Sequence, residues 1–125
     1  MDINISSQNR ADYLYVESKG VVESADELVA HANLVYAEFL KYNPQKILIY
    51  QMETEFPPGL SSYLNLVNHY IDNFVPEVLS VKVAAVIQEK FKDIGDFWET
   101  VCTNRGFQYH AFTDFDLAER WLLSE

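Results

Sequence analysis

Acidic side chains in the middle of the chain are the first residues whose types and spacing could do chemistry. Glu53 and Glu55 flank a threonine, and Asp114 follows a later apolar run. Carboxylates gathered at one edge of a sheet could hold Mg²⁺, as they do in phosphate-accepting receiver domains. Such a site needs adjacent acids, an acceptor aspartate and a lysine, each after a particular strand. This chain places Glu-Thr-Glu in a predicted loop and offers no matching aspartate. We therefore predict no metal and no other cofactor.

The thiol and the imidazoles are the next candidates for catalysis or metal binding. His31, His69 and His110 lie on different predicted elements, and a structural zinc site needs four ligands. Cys102 falls on the apolar face of a predicted helix, where a lone cysteine is typical of a core. A reactive thiol needs a basic neighbour that lowers its pKa, and Arg105 is the one basic residue close in sequence. We predict neither a zinc site nor a cysteine nucleophile.

Phosphate-binding loops and the turn that carries a serine nucleophile are absent from the sequence. The four glycines, Gly20, Gly59, Gly95 and Gly106, are too far apart for GxGxxG or GxxxxGK[ST]. A GxSxG turn does not occur either. Because no set of residues suits a reaction, we predict that the chain is not an enzyme.

The composition indicates one folded domain and excludes two kinds of partner. The 125 residues are 49% apolar, enough for a single core, and we take residues 1–125 as one domain. Nine Lys and Arg are scattered among nineteen Asp and Glu, which gives a net charge of −10. Electrostatic binding to nucleic acid or to an anionic membrane needs a basic patch, and none is visible. The acidity either keeps the surface solvated or attracts a basic patch on a protein partner.

Three features of the sequence bear on where the protein is found. No stretch approaches the roughly 20 apolar residues that a membrane helix needs, so we predict no membrane insertion. The start, Met1-Asp2-Ile3-Asn4, lacks the basic and apolar segments of a secretory signal. A single cysteine cannot form an internal disulfide, and a reducing cytoplasm is therefore the simplest compartment.

Hydrophobic periodicity predicts that strands alternate with helices. An opening hairpin joins Asp2–Ser6 to Tyr13–Val16 through a polar turn. A capping box, Ser24-Ala25-Asp26-Glu27, begins a helix with apolar residues every three or four positions, and Asn43-Pro44 ends it. Ile47–Tyr50 is a continuous apolar run, as in a strand that is buried on both faces.

The next two predicted elements are a helix and a strand. Apolar residues from Leu60 to Phe74 share one helical face, and Pro76 ends that pattern. Val81–Ile87 is rich in residues that favour strands.

The last third of the chain predicts helix, strand and helix. Asp93 can cap the first of these helices, and Gly106 follows its end. Phe107–Ala111 alternates as a half-exposed strand does, and Thr113 or Asp114 then caps a short final helix. The order is β-β-α-β-α-β-α-β-α. It predicts an α/β fold with a mixed, mostly parallel sheet, an antiparallel N-terminal edge strand and helices covering the sheet.

This pattern resembles the STAS domain of anti-sigma-factor antagonists, in its SpoIIAA-like branch. The resemblance covers nearly all of the chain. It rests on the hairpin, the run Gly20-Val21-Val22 into a capped helix, and a Pro/Gly turn before the second helix. The last third adds Val83-Ala84-Ala85-Val86, Asn104-Arg105-Gly106, Phe112-Thr113-Asp114 and an Ala-x-x-Trp-Leu ending. It implies a domain that works by docking a protein partner.

Members of that family that switch partners carry Asp-Ser-Ser-Gly-Leu at the start of the second helix, and a kinase phosphorylates a serine in it. Gly59-Leu60 match the end of this motif, but Phe56-Pro57-Pro58 stand where Asp-Ser-Ser would. The phosphoacceptor position is thus Pro58, which has no hydroxyl. Ser61 and Ser62 lie just beyond and are the remaining phosphorylation candidates, since a helix N-terminus favours phosphate; an ordinary capping role is the alternative.

The predicted function is a non-catalytic regulatory or protein-interaction module that has lost the family's phosphoserine. Loops on a rigid scaffold commonly carry recognition, and the predicted loop after the third strand is stiff, apolar and acidic. The partner-binding residues predicted there are Glu53, Glu55, Phe56, Pro57, Pro58 and Leu60.

Two questions stay open at the level of sequence. The first is whether the chain instead binds a small ligand or lipid, since related folds resemble Sec14-like lipid-transfer domains and the aromatic residues could wall a cavity. Those carriers are much larger, and 125 residues leave little volume once the core is filled. The second is whether two copies form a homodimer, through a sheet edge or a helix face.

Overall fold

The structure, a computed structural model, describes residues 3–56, 66 and 80–124 of the chain. Within these residues five strands form one sheet, in which their spatial order is their order in the sequence. The strands are β1 Asn4–Asn9, β2 Leu14–Val21, β3 Lys46–Glu55, β4 Lys82–Val86 and β5 Gln108–Phe112. The helices are α1 Ala25–Tyr42, α2 Lys92–Asn104 and α3 Phe115–Leu123, and a 3-10 turn, Glu89–Phe91, precedes α2.

The sheet has the predicted topology. β1 pairs antiparallel with β2 at one edge, and β2, β3, β4 and β5 pair parallel with one another. The prediction of an α/β fold with a mostly parallel sheet and an antiparallel N-terminal edge strand is therefore confirmed. The predicted helix from Leu60 to Phe74 lies outside the described residues, except for Leu66, which is helical and buried.

The two halves of the core lie on opposite faces of the sheet. Ile47 and Ile49 of β3 belong to an apolar cluster with Phe39 of α1, whereas Leu48 between them packs with Ala118 and Leu122 of α3. All three β3 residues are buried, as expected for a strand that is covered on both faces. The helices α1 and α2 share the first face, because Leu28 and Ala32 of α1 cluster with Trp98 and Cys102 of α2. The helix α3 covers the other face.

Side-chain caps fix the ends of two helices as predicted. The Ser24 hydroxyl accepts a hydrogen bond from the Glu27 amide at 3.2 Å, and the Glu27 carboxylate accepts one from the Glu23 amide at 3.1 Å. Asp114 accepts a hydrogen bond from the Leu117 amide at 3.1 Å and so caps α3. At its other end α1 stops at Asn43, whose φ of 48° is left-handed.

The predicted cap of α2 is wrong. Asp93 does not cap this helix, which begins at Lys92 with Phe91 as its N-cap and without a side-chain hydrogen bond. The physical reason is the 3-10 turn Glu89–Phe91, which runs directly into the helix. The chain therefore enters α2 already coiled, and no extended residue is left at the position that a capping side chain occupies.

The predicted end of the third strand is also wrong. β3 continues past Tyr50 to Glu55, so that Glu53 and Glu55 lie in a strand and not in a loop. The reason is the neighbouring strand: β2 runs on to Val21, which pairs with Glu55. Backbone pairing continues where the apolar run ends.

Gly95 fixes how closely α2 approaches the sheet. A Cβ at this position would overlap Ile87 Cδ1 and lie 3.3 Å from Ala111 Cβ. We expect Gly95→Ala to lower the free energy of unfolding by about 1–3 kcal/mol through overpacking, although alanine favours helices by about 1 kcal/mol. Urea unfolding followed by circular dichroism measures the change.

The background Ile87→Val supplies the control, because valine lacks the Cδ1 atom. Ile87→Val alone should cost about 0.5–1.5 kcal/mol, and adding Gly95→Ala to it should cost nothing further. An equal cost of Gly95→Ala in both backgrounds would contradict the contact.

Candidate functional site

The second half of β3 forms a two-stranded ribbon with β2. β4 pairs with Lys46–Tyr50 only, whereas the pairing with β2 continues to Glu55. The register shifts between Glu17 and Lys19, which marks a bulge. Bulges re-aim side chains and are frequent near functional sites. The ribbon thus presents one set of side chains to solvent and another to α1.

An ion-paired row lies on the solvent side of the ribbon. Lys19 Nζ is 3.1 Å from Glu17 Oε1 and 3.4 Å from Glu53 Oε2, and the side chains of Lys19 and Glu53 are 53% and 59% exposed. The hydrogen bond from Lys19 lowers the pKa of Glu17, and a hydrogen bond from the Tyr15 hydroxyl lowers it further. Exposed pairs of this kind contribute little to stability, so the row is a feature of the surface and not of the core.

Glu55 and Phe56, two of the predicted partner-binding residues, contact side chains from other elements. Lys90 Nζ lies 2.6 Å from Glu55 Oε1, and Gln88 donates a hydrogen bond to Glu55 Oε2 at 2.9 Å. The bond from Lys90 is the main cause that lowers the pKa of Glu55. The Phe56 ring meets the rings of His31 and Phe91 nearly at right angles, with centroids 6.1 and 5.5 Å apart. Glu55 and Phe56 are therefore fixed in position at the end of β3.

A buried polar cluster lies on the inner side of the ribbon. Thr54 Oγ1 donates to the Ser18 carbonyl at 2.8 Å, and Ser18 Oγ is 2.9 Å from His31 Nε2. Ser18 and Thr54 are fully buried and His31 is 5% exposed. Burial lowers the pKa of His31 to about 4, so the imidazole is neutral at pH 7. In the tautomer with the proton on Nδ1, Nε2 accepts a hydrogen bond from the Ser18 hydroxyl; in the other tautomer Nε2 donates to it, and in both the Ser18 hydroxyl has a partner.

Sequence reasoning did not find this cluster, although a signal for it exists. His31 falls among Leu28 and Ala32 on the buried face of α1, and Ser18 continues the inward alternation of Leu14 and Val16 in β2. A polar residue at a core position of one element predicts a polar partner at a core position of another, because an unpaired buried group is costly. The pairing itself depends on which elements become neighbours.

A cavity of about 80 Å³ lies between α1, α2 and β3, next to the polar cluster. Apolar side chains make up most of its wall, and His31, Gln51 and Phe56 also line it. Gln51 is 8% exposed, and among residues 3–56, 66 and 80–124 its carboxamide forms no hydrogen bond. A buried amide without a partner costs about 1–3 kcal/mol, so its presence here needs a reason.

The remaining predicted chemical groups lie apart from this site. Cys102 is buried, and burial raises the pKa of its thiol to about 12, so the predicted core role is confirmed. His110 Nδ1 of β5 lies 3.0 Å from Glu99 Oε2 of α2. Within residues 3–56, 66 and 80–124, no group of three His, Cys, Asp or Glu side chains is arranged to hold a metal ion.

Five of the predicted site residues lie outside the part of the chain that the structure describes. They are Pro57, Pro58, Leu60, Ser61 and Ser62. The structure therefore brings together Glu53, Glu55 and Phe56 at the end of β3, and the roles assigned to the other five stay predictions. No helix in the described part of the chain is both long and apolar enough to cross a bilayer.

Comparison with solved structures finds the same fold in two other proteins. The first is an anti-sigma factor antagonist from Mycobacterium paratuberculosis, which is 12% identical in sequence and has a TM-score of 0.60. The match includes 98% of this chain and 96% of the antagonist chain. An uncharacterised protein of the DUF3478 family with a SpoIIAA-like fold, from Shewanella loihica PV-4, is 16% identical, with coverages of 96% and 93% and a TM-score of 0.57. The chain thus has a SpoIIAA-like fold, and the fold implied by the resemblance drawn from its sequence pattern is confirmed.

Comparisons at the level of sequence find no relative. No protein-family model matches the chain, and no curated protein matches it. At 12% and 16% identity, the two solved structures establish the fold and leave the activity to be argued from the site.

The buried His31 makes stability depend on pH in a defined window. Its pKa is about 4 in the folded chain against an ordinary value of 6.5, so the unfolded chain binds the proton more readily. The stability that the neutral imidazole provides is complete above pH 6.5 and is lost as the pH falls towards 4. Between pH 7 and 5 we expect His31 to lower the free energy of unfolding by about 2 kcal/mol.

Urea unfolding at pH 7, 6 and 5 measures this loss in the wild type and in His31→Leu. The variant should lose less stability over that interval, whatever its stability at pH 7. Cys102→Ala, which changes another buried residue, should keep the wild-type slope, because burial raises the pKa of the Cys102 thiol to about 12, far above this interval. Equal slopes in His31→Leu and the wild type would exclude His31 as the source.

Proposed function

We propose that the chain is a non-catalytic regulatory module that docks a protein partner at the carboxyl end of β3. The observation that carries the proposal is the fixed geometry of Glu55 and Phe56, which Lys90, Gln88 and His31 hold in place. The fold shared with an anti-sigma factor antagonist supports it, because that protein's name implies a role in binding and regulation.

A fixed surface of this kind suits recognition for a physical reason. Ordering a side chain on binding costs free energy, and side chains that are already ordered avoid that cost. Glu53 adds a carboxylate that is 59% exposed. The chain as a whole carries a net charge of −10, so that electrostatics favours a partner with a basic patch. Pro57, Pro58 and Leu60 extend the proposed surface along the chain.

The regulation proposed for this module differs from phosphorylation-dependent release. Pro58 occupies the position at which switching members of the resembled family carry the phosphoacceptor serine. Binding would then be governed by the amount of the partner, unless Ser61 or Ser62 takes the phosphate. A module of this kind would act in the cytoplasm.

Neutralising the two acids tests the proposed surface. We expect Glu53→Gln with Glu55→Gln to weaken binding of a partner by about tenfold or more, since charged groups at an interface contribute 1–3 kcal/mol each when they are well paired. Quantitative co-purification from lysate of the source organism, followed by titration of the recovered partner, measures the loss.

The matched control removes two carboxylates elsewhere. Asp12 lies in the hairpin turn and Asp116 in α3, and both are exposed. Asp12→Asn with Asp116→Asn changes the net charge equally and should leave binding as in the wild type. If both double variants lost the same affinity for the partner, the effect would be one of net charge alone. Unchanged affinity in the Glu53→Gln, Glu55→Gln variant would exclude this surface as the binding site.

A second function, binding of a small ligand, is favoured by one observation. The Gln51 carboxamide is buried against an apolar cavity and has no partner among the described residues. A ligand with a compact apolar body and one hydroxyl would give the amide that partner. The cavity of about 80 Å³ is far below the ~300 Å³ at which ligand pockets begin. Its volume thus argues against a Sec14-like lipid cargo.

Benzene and phenol form a matched pair of probes for this cavity, because they differ by one hydroxyl. Phenol should raise the melting temperature of the wild type more than benzene does, and Gln51→Leu should reverse that order, since leucine removes the hydrogen-bonding group. No shift with either probe would exclude the cavity as a binding site. A retained lipid in native mass spectra would contradict the volume argument.

A further inference from the structure

The outer side of β1 offers backbone groups for pairing. The Arg10 amide donates to the Tyr13 carbonyl at 3.1 Å, which makes these residues a hydrogen-bonded pair of the hairpin. Such pairs alternate along an antiparallel ladder. The even-numbered residues of β1 therefore point their N–H and C=O groups towards β2, and Ile5, Ser7 and Asn9 point theirs away. No strand in the described part of the chain pairs with that side.

β1 lacks the features by which edge strands normally avoid pairing. Its sequence, Asn-Ile-Ser-Ser-Gln-Asn, contains no lysine, no proline and no charge, and its register with β2 has no bulge. The chain carries 19 acidic residues, and two copies repel each other over most of their surfaces. β1 adds no charge of its own where two copies would approach, and the Glu38 carboxylate beside it is held by the Ser7 hydroxyl.

At the other edge of the sheet, one backbone amide of β5 is already bonded to a side chain. Glu99 Oε1 of α2 accepts a hydrogen bond from the Ala111 amide of β5 at 2.7 Å. This amide would otherwise be free to pair with a further strand. Pairing β1 of one copy with β5 of the next would build an open array. The hydrogen bond from the Ala111 amide to Glu99 disfavours that pairing, because it occupies an amide that the added strand would need. Pairing of β1 with β1 about a two-fold axis closes after two copies.

The flank of α1 above β1 also suits a second copy. The Ser7 hydroxyl donates to Glu38 Oε1 at 2.7 Å, so this flank of α1 lies over the edge strand. Leu34, one turn earlier on the same flank, is 40% exposed. Because α1 packs on β1 and β2, joining two sheets at β1 would bring the two α1 helices to ~10 Å, a normal packing distance.

We propose that two copies of the chain form a dimer by antiparallel pairing of β1 with β1, which joins the two five-stranded sheets into one. Ser7 is the middle of the three outward residues, so the longest ladder places Ser7 opposite Ser7 of the second copy and Ile5 opposite Asn9. The Leu34 flanks of the two α1 helices meet above this ladder. The proposal does not rest on the proposed function.

Sedimentation equilibrium over a range of concentrations tests the dimer. The wild type should show a monomer–dimer equilibrium, and Ser7→Pro should weaken the dimer at least about tenfold, because it removes an outward N–H that the hairpin does not use. Ser7→Ala keeps that N–H and loses only the bond to Glu38, so it should still dimerise. A wild type that stays monomeric, or a Ser7→Pro variant that dimerises normally, would overturn the proposal.

A pair of leucine variants gives a test that leaves β1 unchanged. Leu34→Glu should weaken the dimer, because it places two added charges at the helix contact. Leu40, on the opposite flank of α1 and 56% exposed, provides the control, since Leu40→Glu should dimerise as the wild type does. Equal behaviour of the two variants would exclude this arrangement, and the comparison holds even if Ser7→Pro fails to fold.

Hydrogen exchange on the wild type locates the contact directly. The amides of Ile5, Ser7 and Asn9 should be protected at high concentration and lose that protection on dilution. Those of Ser6 and Gln8 bond to β2 and should be protected at both concentrations. Rapid exchange of Ser7 at a concentration where the dimer predominates would show that the two copies meet elsewhere.

Discussion

The parallel pairing of β2 with β3 as far as Val21 and Glu55 is the constraint on which the site depends. It extends β3 beyond its apolar run by five residues, Gln51–Glu55, four of which are polar. Alternation along that strand then sends Glu53 to the solvent and Thr54 to the interior. Without this pairing the carboxylates would belong to a loop, and neither the ion-paired row nor the buried cluster would have a fixed position.

The buried cluster shows how this fold accommodates polar groups in its core. Thr54, Ser18 and His31 form a chain in which each member satisfies the next, so the cost of burial is largely offset. Gln51, on the same strand, is the exception. The contrast is informative because both residues belong to β3 and lie on the side of the sheet that α1 covers. Because the three other buried polar side chains are paired, the unpaired carboxamide of Gln51 calls for an explanation other than stability.

Local sequence was sufficient for the elements whose signals are local. Ser24 was predicted as a cap, and Asp114 was one of two residues predicted to cap the last helix, because a side chain and an amide three residues later define the motif. The end of β3 was not predicted correctly, because Gln51–Glu55 forms a strand only by pairing with β2. The prediction of Asp93 as a helix cap was wrong for a related reason, because the 3-10 turn Glu89–Phe91 already gives the chain a helical conformation before α2 begins.

The candidate site was predictable only in part, for the same physical reason. Glu53, Glu55 and Phe56 could be named from composition, since acids and an aromatic residue at the end of an apolar run indicate an edge of a sheet. Their neighbours Lys90 and Gln88 come from a different crossover, and His31 comes from α1. Contacts between elements far apart in sequence follow from the topology, which periodicity gives only in outline.

The contact between α2 and the sheet at Gly95 has a consequence for how this protein can diverge. The absent side chain at position 95 and the Cδ1 atom of Ile87 occupy neighbouring space, so neither residue can grow independently. Alanine at 95 should cost less stability once 87 has been shortened, so the order in which a lineage acquires the two changes matters. Distant relatives should therefore show the two positions changing together, although 87 follows a strand and 95 lies within a helix.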